Sequence, residues 1–241
     1  MNNTGFTHGV LKTMLLDGLR LFKSFASGIA LIVLPIFIPV ELFDAFYTAR
    51  YIGADPDLAQ YLPPMILRFM AHAFYKGALI FYLASLLSGK AIDAKTAWAL
   101  GIRYWPRLML LSLLVWITLT AGFVVMIVPG IYLIGRLAFA EFELLLNQRD
   151  PLEAMKASWA GTGPYVWLIL AGYLIISIGL YGPYYIPAAL LNMTESDMGV
   201  TMHVINIVYS FLSVIYTLFA FRVYDLSREG ARVQPPLPGP G

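Results

Sequence analysis

The 241-residue sequence contains no cysteine. Disulfides, thiol catalysis and thiolate metal sites are therefore excluded, and cysteine usage says nothing about the redox compartment. Charge is also scarce. Only 12% of residues are charged, against about 25% in an average soluble domain. The formal net charge of +2 is too small to point to nucleic acid. Histidine is limited to His8, His72 and His203. None stands in His-x-x-x-His or Glu-x-x-His spacing, which argues against zinc or di-iron chemistry. There is no glycine loop of the phosphate-cradling kind and no G-x-S-x-G elbow. Asp55-Pro56-Asp57 offers two carboxylates, but acidic residues around a loop proline ordinarily make a solvated turn. No catalytic residue, metal site or cofactor is expected.

What the sequence has is apolar length. Hydrophobic residues make up 59% of the chain, too many to be covered by polar surface in water, so lipid is the natural solvent for its outside. A bilayer core of about 30 Å takes roughly 20 helical residues to cross. The expected fold is all-α: a polytopic transmembrane bundle of about six spans, near 24–46, 65–88, 107–128, 131–147, 165–190 and 200–224. A β-barrel fits poorly, because runs such as Leu108–Val115 and Ile29–Leu34 are apolar throughout rather than alternating. The first apolar run, Phe25–Phe43, is too long for a signal h-region and is expected to be a retained span. Residues 1–229 are expected to form one membrane-embedded domain with no separate soluble domain. The Pro- and Gly-rich residues 230–241 are expected to be a disordered cytoplasmic tail.

Charge position sets the expected orientation. With the N-terminus inside, the cytoplasmic segments hold Lys12, Arg20, Lys23, Lys90, Lys95, Arg103, Arg107, Arg149, Lys156, Arg222, Arg228 and Arg232, and the opposite side carries Asp44, Asp55, Asp57, Glu195 and Asp197. This positive-inside bias predicts N-in and C-in, and an even number of spans. Trp98, Trp105, Trp159 and Trp167 fall near the same cytoplasmic boundary, and Tyr181, Tyr184 and Tyr185 near the other. Pro129-Gly130 is expected to turn span three into span four, and Pro183 and Pro187 to kink or unwind the outer end of span five.

A weak internal repeat is visible. Gly18-Leu19-Arg20-Leu21-Phe22-Lys23 precedes span one, Gly101-Ile102-Arg103-Tyr104-Trp105 span three, and Ser158-Trp159 span five, where it echoes Ala97-Trp98. Each odd span is thus introduced by a basic amphipathic stretch suited to the cytoplasmic interface, and the spans group as three hairpins. Duplication and the common demands of a positive-inside, aromatic-belted boundary both account for the likeness. Such stretches would meet membrane lipids, including anionic headgroups.

Charges inside spans are costly in lipid, so they usually face the bundle interior and find partners. Arg68, His72 and Lys76 lie at i, i+4 and i+8, on one face of span two. At ~1.5 Å per residue, Lys76 falls roughly 18 Å below Pro64, at a depth similar to Glu141. Lys76–Glu141 is therefore a candidate pair across spans two and four. Glu41 and Asp44 match Arg68 and His72 in depth, and Arg136 and Glu143 share nearly one face of span four. Any polar site is expected between spans one, two and four. Either these pairs set helix register, or they line a cavity for an anionic headgroup or a proton relay.

The stretch Val128-Pro129-Gly130-Ile131-Tyr132-Leu133 with Arg136, followed by Pro151-Leu152-Glu153-Ala154-Met155-Lys156-Ala157-Ser158-Trp159, resembles the YciC-type bacterial inner-membrane proteins. The ending Leu218–Tyr224 also looks like that family's closing helix. The family is similar in turn to the membrane domain attached to some glycerophosphodiester phosphodiesterases. The resemblance implies a multi-pass protein of the bacterial inner membrane with no established catalytic residues. The phosphodiesterases keep catalysis in a separate soluble barrel, for which these residues leave no room. Two functions are then expected to compete: a non-enzymatic role in envelope or lipid homeostasis or as a membrane scaffold, and a small transporter or lipid translocase.

Overall fold

The computed structural model describes residues 8–53, 57–190 and 200–233, with side chains described over 9–53, 57–183 and 205–229. Asp55, Glu195, Asp197, the 192–199 turn and the side chains of His8, Tyr184, Tyr185 and His203 lie outside these residues. The elements are helical: α1 (His8–Tyr51), α2 (Leu58–Leu87), α3 (Ala94–Val125), α4 (Ile127–Arg136), α5 (Ala140–Leu146), α6 (Pro151–Thr162), a 3-10 turn over Gly163–Tyr165, α7 (Val166–Leu190), α8 (Val200–Leu212) and α9 (Val214–Val233). Among the described residues five stretches are long and apolar enough to cross a membrane: Gly9–Tyr51, Leu58–Leu87, Ala94–Val125, Pro151–Pro183 and Ile205–Glu229.

The basic stretches expected before spans one and three are helical and continuous with those spans. In α1 the boundary is a kink: Phe25 leaves helical geometry at φ −119°, ψ 18°, while Pro35 and Pro39 remain inside the helix. The segment before the kink does not stand apart. It packs on α9 with Leu11 and Met14 buried, and a Cβ at Gly18 would meet the Phe219 backbone at 3.5 Å. Asp17 adds a contact of 3.4 Å to Arg222.

α2 and α3 form an antiparallel pair, each opened by an aspartate N-cap. Asp57 accepts from the Gln60 N–H, and Asp93 accepts from the Thr96 N–H and hydroxyl. The pair crosses closely where Gly77 meets Gly101, and small residues permit that approach between backbones. Two tryptophans of α3 tie it to its neighbours: Trp105 Nε1 donates to the Met70 carbonyl at 3.0 Å, and Trp98 Nε1 to that of Ile32 at 3.3 Å.

Three sequence expectations change here. The turn between α3 and α4 is at Met126, in extended geometry, rather than at Pro129-Gly130. Pro129 sits in the first turn of α4, where its missing N–H costs nothing. Gly130 serves packing, with its Cα 3.2 Å from where a Cβ on Gly122 would stand. Second, α7 stays helical through Pro183 and Pro187 to Leu190, so its outer end is not unwound. Apolar surroundings favour keeping the remaining helical hydrogen bonds, which is why such prolines are tolerated in membrane helices. Third, α9 continues to Val233, past Gly230 where the tail is expected to begin. Residues 234–241 lie outside the described residues.

The expected fourth span, 131–147, is divided. α4 has 10 residues and α5 has 7, separated by a turn over Leu137, Ala138 and Phe139. A break among apolar helices frees backbone groups that must be satisfied. α6 supplies the partners. Ser158 Oγ accepts from the Phe139 N–H at 3.1 Å and donates to the Arg136 carbonyl at 2.8 Å. Thr162 Oγ1 approaches the same carbonyl at 3.0 Å. Ala154, Ser158 and Thr162 follow at i, i+4 and i+8, all fully buried, so the small-residue face of α6 docks against this turn. α5 is held from the other side by aromatic contacts, Phe142 with Phe221 at 5.4 Å and Phe139 with Tyr224 at 5.3 Å between ring centres.

Candidate functional site

The charged residues singled out in the sequence fall into three groups and one outlier. In the first, Arg68 of α2 reaches α1, where its Nη2 lies 3.0 Å from Glu41 Oε2 and 2.9 Å from Asp44 Oδ2. Glu41 is only 1% exposed, so the guanidinium stabilises a carboxylate withdrawn from solvent. One turn along α2, His72 Nδ1 lies 3.1 Å from the Tyr75 hydroxyl.

The second group is Lys76 and Glu141, with Nζ 2.8 Å from Oε1. Both side chains keep about a fifth of their surface, 22% and 23%, so the pair is neither fully dry nor at the open surface. Glu141 is carried by the short helix α5 and faces α2.

The third group surrounds Glu143. Two positions along α5 from Glu141, it points elsewhere and meets Asn147 at 2.7 Å, Arg149 at 3.0 Å and Arg228 at 3.4 Å. Tyr224 links the set, with its hydroxyl 2.9 Å from Asn147 Nδ2 and 2.7 Å from Arg228 Nη2. The expected Arg136–Glu143 relation is therefore absent. The intervening turn rotates one residue away from the other, and a seven-residue spacing shares a face only in an unbroken helix. Arg136 is the outlier: its guanidinium lies over the Trp159 ring at 4.3 Å, facing α6.

Two adjoining cavities lie beside the first two groups. One, of about 250 Å³, is lined by Arg68, His72 and Tyr75 with Tyr181, Asn206, Tyr209 and Ser213 among others. The other, of about 410 Å³, extends to Lys76 and Glu141 and adds Tyr173, Tyr216 and Thr217. They share His72, Tyr75, Tyr181 and Ser213. The two cavities thus adjoin at this shared wall, one beside Arg68 and the other, also lined by apolar residues such as Val115, Leu119 and Ile134, beside the Lys76–Glu141 pair. Each cavity has room for several waters at about 30 Å³ apiece.

This interior is not confined to the helices expected from the charge pattern. α7, α8 and α9 contribute hydroxyls and an amide, and Ser177 Oγ lies 2.7 Å from the Tyr216 hydroxyl. The sequence signal for them was available: Tyr209, Ser213 and Thr217 stand at i, i+4 and i+8, with Asn206, Ser210 and Tyr216 close by. Because neutral hydroxyls cost little in a helix, they draw less notice than charges. Among the described residues no group of three or more His, Asp or Glu is placed to hold a metal ion.

No family model matches the sequence, and no solved structure matches the chain.

Proposed function

We propose that this is a non-enzymatic, multi-pass membrane carrier that admits protons or a small polar solute to the Lys76–Glu141 pair. One observation supports the reading: the cavity beside Arg68 and the cavity beside the pair share His72, Tyr75, Tyr181 and Ser213, so only these side chains need move to join them. Sites for small ligands are concave, largely preformed and fitted with a few converging polar groups. The lysine and the carboxylate offset each other, so the cavity wall carries no net charge at the pair. A proton or polar solute would then compete with Lys76 for Glu141. The shared His72, Tyr75 and Ser213 provide further proton-exchanging or hydrogen-bonding groups along the way.

The finer topology belongs to the same proposal. α4 and α5 together make one broken crossing, giving six spans grouped as three hairpins, with both ends cytoplasmic by the positive-inside distribution. Broken helices beside a polar cavity recur in transporters. We also infer a bacterial inner-membrane protein of the YciC type. In support, the Pro129-Gly130 and Ala154-x-x-x-Ser158-Trp159 motifs that carry the resemblance have definite work: Gly130 brings α4 onto α3, and Ser158 satisfies the turn after Arg136.

A second reading is a scaffold acting in envelope or lipid homeostasis. It is favoured by the fact that Arg68 and Lys76 each already have carboxylate partners. Reconstituted vesicles with a trapped pH-sensitive dye separate the two. The carrier reading expects an imposed pH gradient to collapse faster with the wild-type protein than in protein-free vesicles. The Lys76→Met, Glu141→Leu double variant, which replaces the pair by apolar groups and should still fold, would return to the protein-free rate. Wild-type vesicles that hold the gradient as long as protein-free ones would leave the scaffold reading.

A further inference from the structure

Arg136 ends α4 with a guanidinium that finds no acidic partner. Among the described residues no carboxylate lies within 4.0 Å of it, it donates no hydrogen bond, and its Nε is buried. By contrast, Arg68, Arg149, Arg222 and Arg228 each have a carboxylate within 4.0 Å. An arginine stays charged under all ordinary conditions, and a partly buried charge without a partner is costly.

The surroundings of this cation are specific. Its Cζ lies 4.3 Å from the Trp159 ring centre and 5.8 Å from that of Tyr132. A Cβ at Gly163 would stand only 3.0 Å from Nη1, so the glycine lets the guanidinium lie close against the chain there. Tyr132 also touches Trp167, with ring centres 6.4 Å apart. Trp167 in turn is the first wall of an open groove of about 650 Å³ between α4 and α7, completed by Ile131, Leu170, Ala171 and Leu174. The aromatic surroundings of Arg136 and the groove therefore adjoin through the Tyr132–Trp167 contact, with the cation at one end and apolar surface along the rest.

We propose that this is a binding site for one phospholipid, its phosphodiester on Arg136 and an acyl chain along the groove. A guanidinium fork matches phosphate oxygens in pairs, which a lone ammonium does not. Tryptophan and tyrosine favour the boundary between headgroups and chains. The groove is almost wholly apolar and lies on helices long enough to cross a membrane, so a chain rather than a soluble anion accounts for its length. This site is separate from the Lys76–Glu141 cavity and stands or falls without it.

The test is native mass spectrometry of the full chain in detergent, titrated with a phosphatidylglycerol. One lipid per chain should be retained at concentrations where the diacylglycerol of the same chains, and oleate, are not. Arg136→Gln should weaken retention roughly tenfold, equivalent to about 1.4 kcal/mol. Arg103→Gln, which alters an exposed arginine on α3, should leave it unchanged. Millimolar inorganic phosphate should fail to displace the lipid. Equal retention of the diacylglycerol, equal retention by Arg136→Gln, or displacement by phosphate alone would each overturn the proposal. If Arg136→Gln does not fold, Leu174→Trp decides. That side chain is 60% exposed and its replacement narrows the groove with Arg136 intact, so unchanged retention would equally overturn the site.

Discussion

Lys76 and Glu141 are 65 positions apart in the chain, yet Nζ and Oε1 meet at 2.8 Å inside the bundle. The contact joins α2 to the short helix α5. It lies beside one of two adjoining cavities, and Arg68 with its two carboxylates lies beside the other.

Reversing one charge of this pair should be far worse than reversing both. Lys76→Glu or Glu141→Lys places like charges together at a partly buried site, and breaking a buried pair typically costs about 3–5 kcal/mol. The remaining exposure of each side chain puts the expectation at the lower end of that range. Each single variant should lose folded yield and thermal stability in detergent, and the double swap should recover most of both. A double swap no better than the worse single variant would show that the contact contributes nothing of its own.

Ser158→Ala should destabilise the protein by about 1–3 kcal/mol, because the Phe139 N–H loses its partner in a buried setting. Thr162→Val should cost less, since the Arg136 carbonyl keeps Ser158. Thermal unfolding of the two variants and their combination checks the ranking. The combination should exceed the sum, as the shared carbonyl is then left bare.

How far the sequence was legible follows from these residues. The apolar runs mark the long helices, and equal depth below the outer turns puts Lys76 opposite Glu141 and Arg68 beside Glu41 and Asp44. Local pattern is silent where a helix breaks. Glycine and proline at 129–130 suggested the turn, but Met126 forms it, and the break at 137–139 contains no proline or glycine at all. That break depends on Ser158 and Thr162, which lie some 20 residues further on. A tertiary partner of this kind leaves no mark in local propensity. The Arg136–Glu143 relation failed for the same reason.

Gly101→Ala should be costly and Gly179→Ala nearly neutral. A Cβ at Gly101 would lie 3.1 Å from the Ala78 nitrogen and 3.3 Å from the Phe74 oxygen, both backbone atoms that no rotamer can move. Gly179 has nothing within 4 Å. Overpacking of this sort typically costs about 1–3 kcal/mol. Chemical or thermal unfolding of both variants would reveal whether α2 and α3 really approach this closely.

Asp93 should titrate below the usual carboxylate value, because the Thr96 hydroxyl and N–H both donate to its charged form. A lowered native pKa means that the cap supports α3 above the unfolded-state pKa and that this support is lost as pH falls through the native pKa. Carbon-detected NMR of the Asp93 carboxyl would check it. A midpoint at or above the ordinary 3.8 would contradict the cap.

The absence of cysteine makes the most direct test of the polar interior simple, since any introduced thiol is the sole reactive one. Ser213 lines both cavities, whereas Leu113 is an exposed apolar residue on α3 that lipid should cover. Proteins carrying Ser213→Cys or Leu113→Cys, reconstituted in vesicles, would be treated with a membrane-impermeant methanethiosulfonate. The account predicts rapid modification at position 213, slowed when Arg68 is replaced by a bulky tryptophan, and little modification at 113. Position 213 as unreactive as 113 in folded protein would contradict a water-accessible path to Lys76 and Glu141.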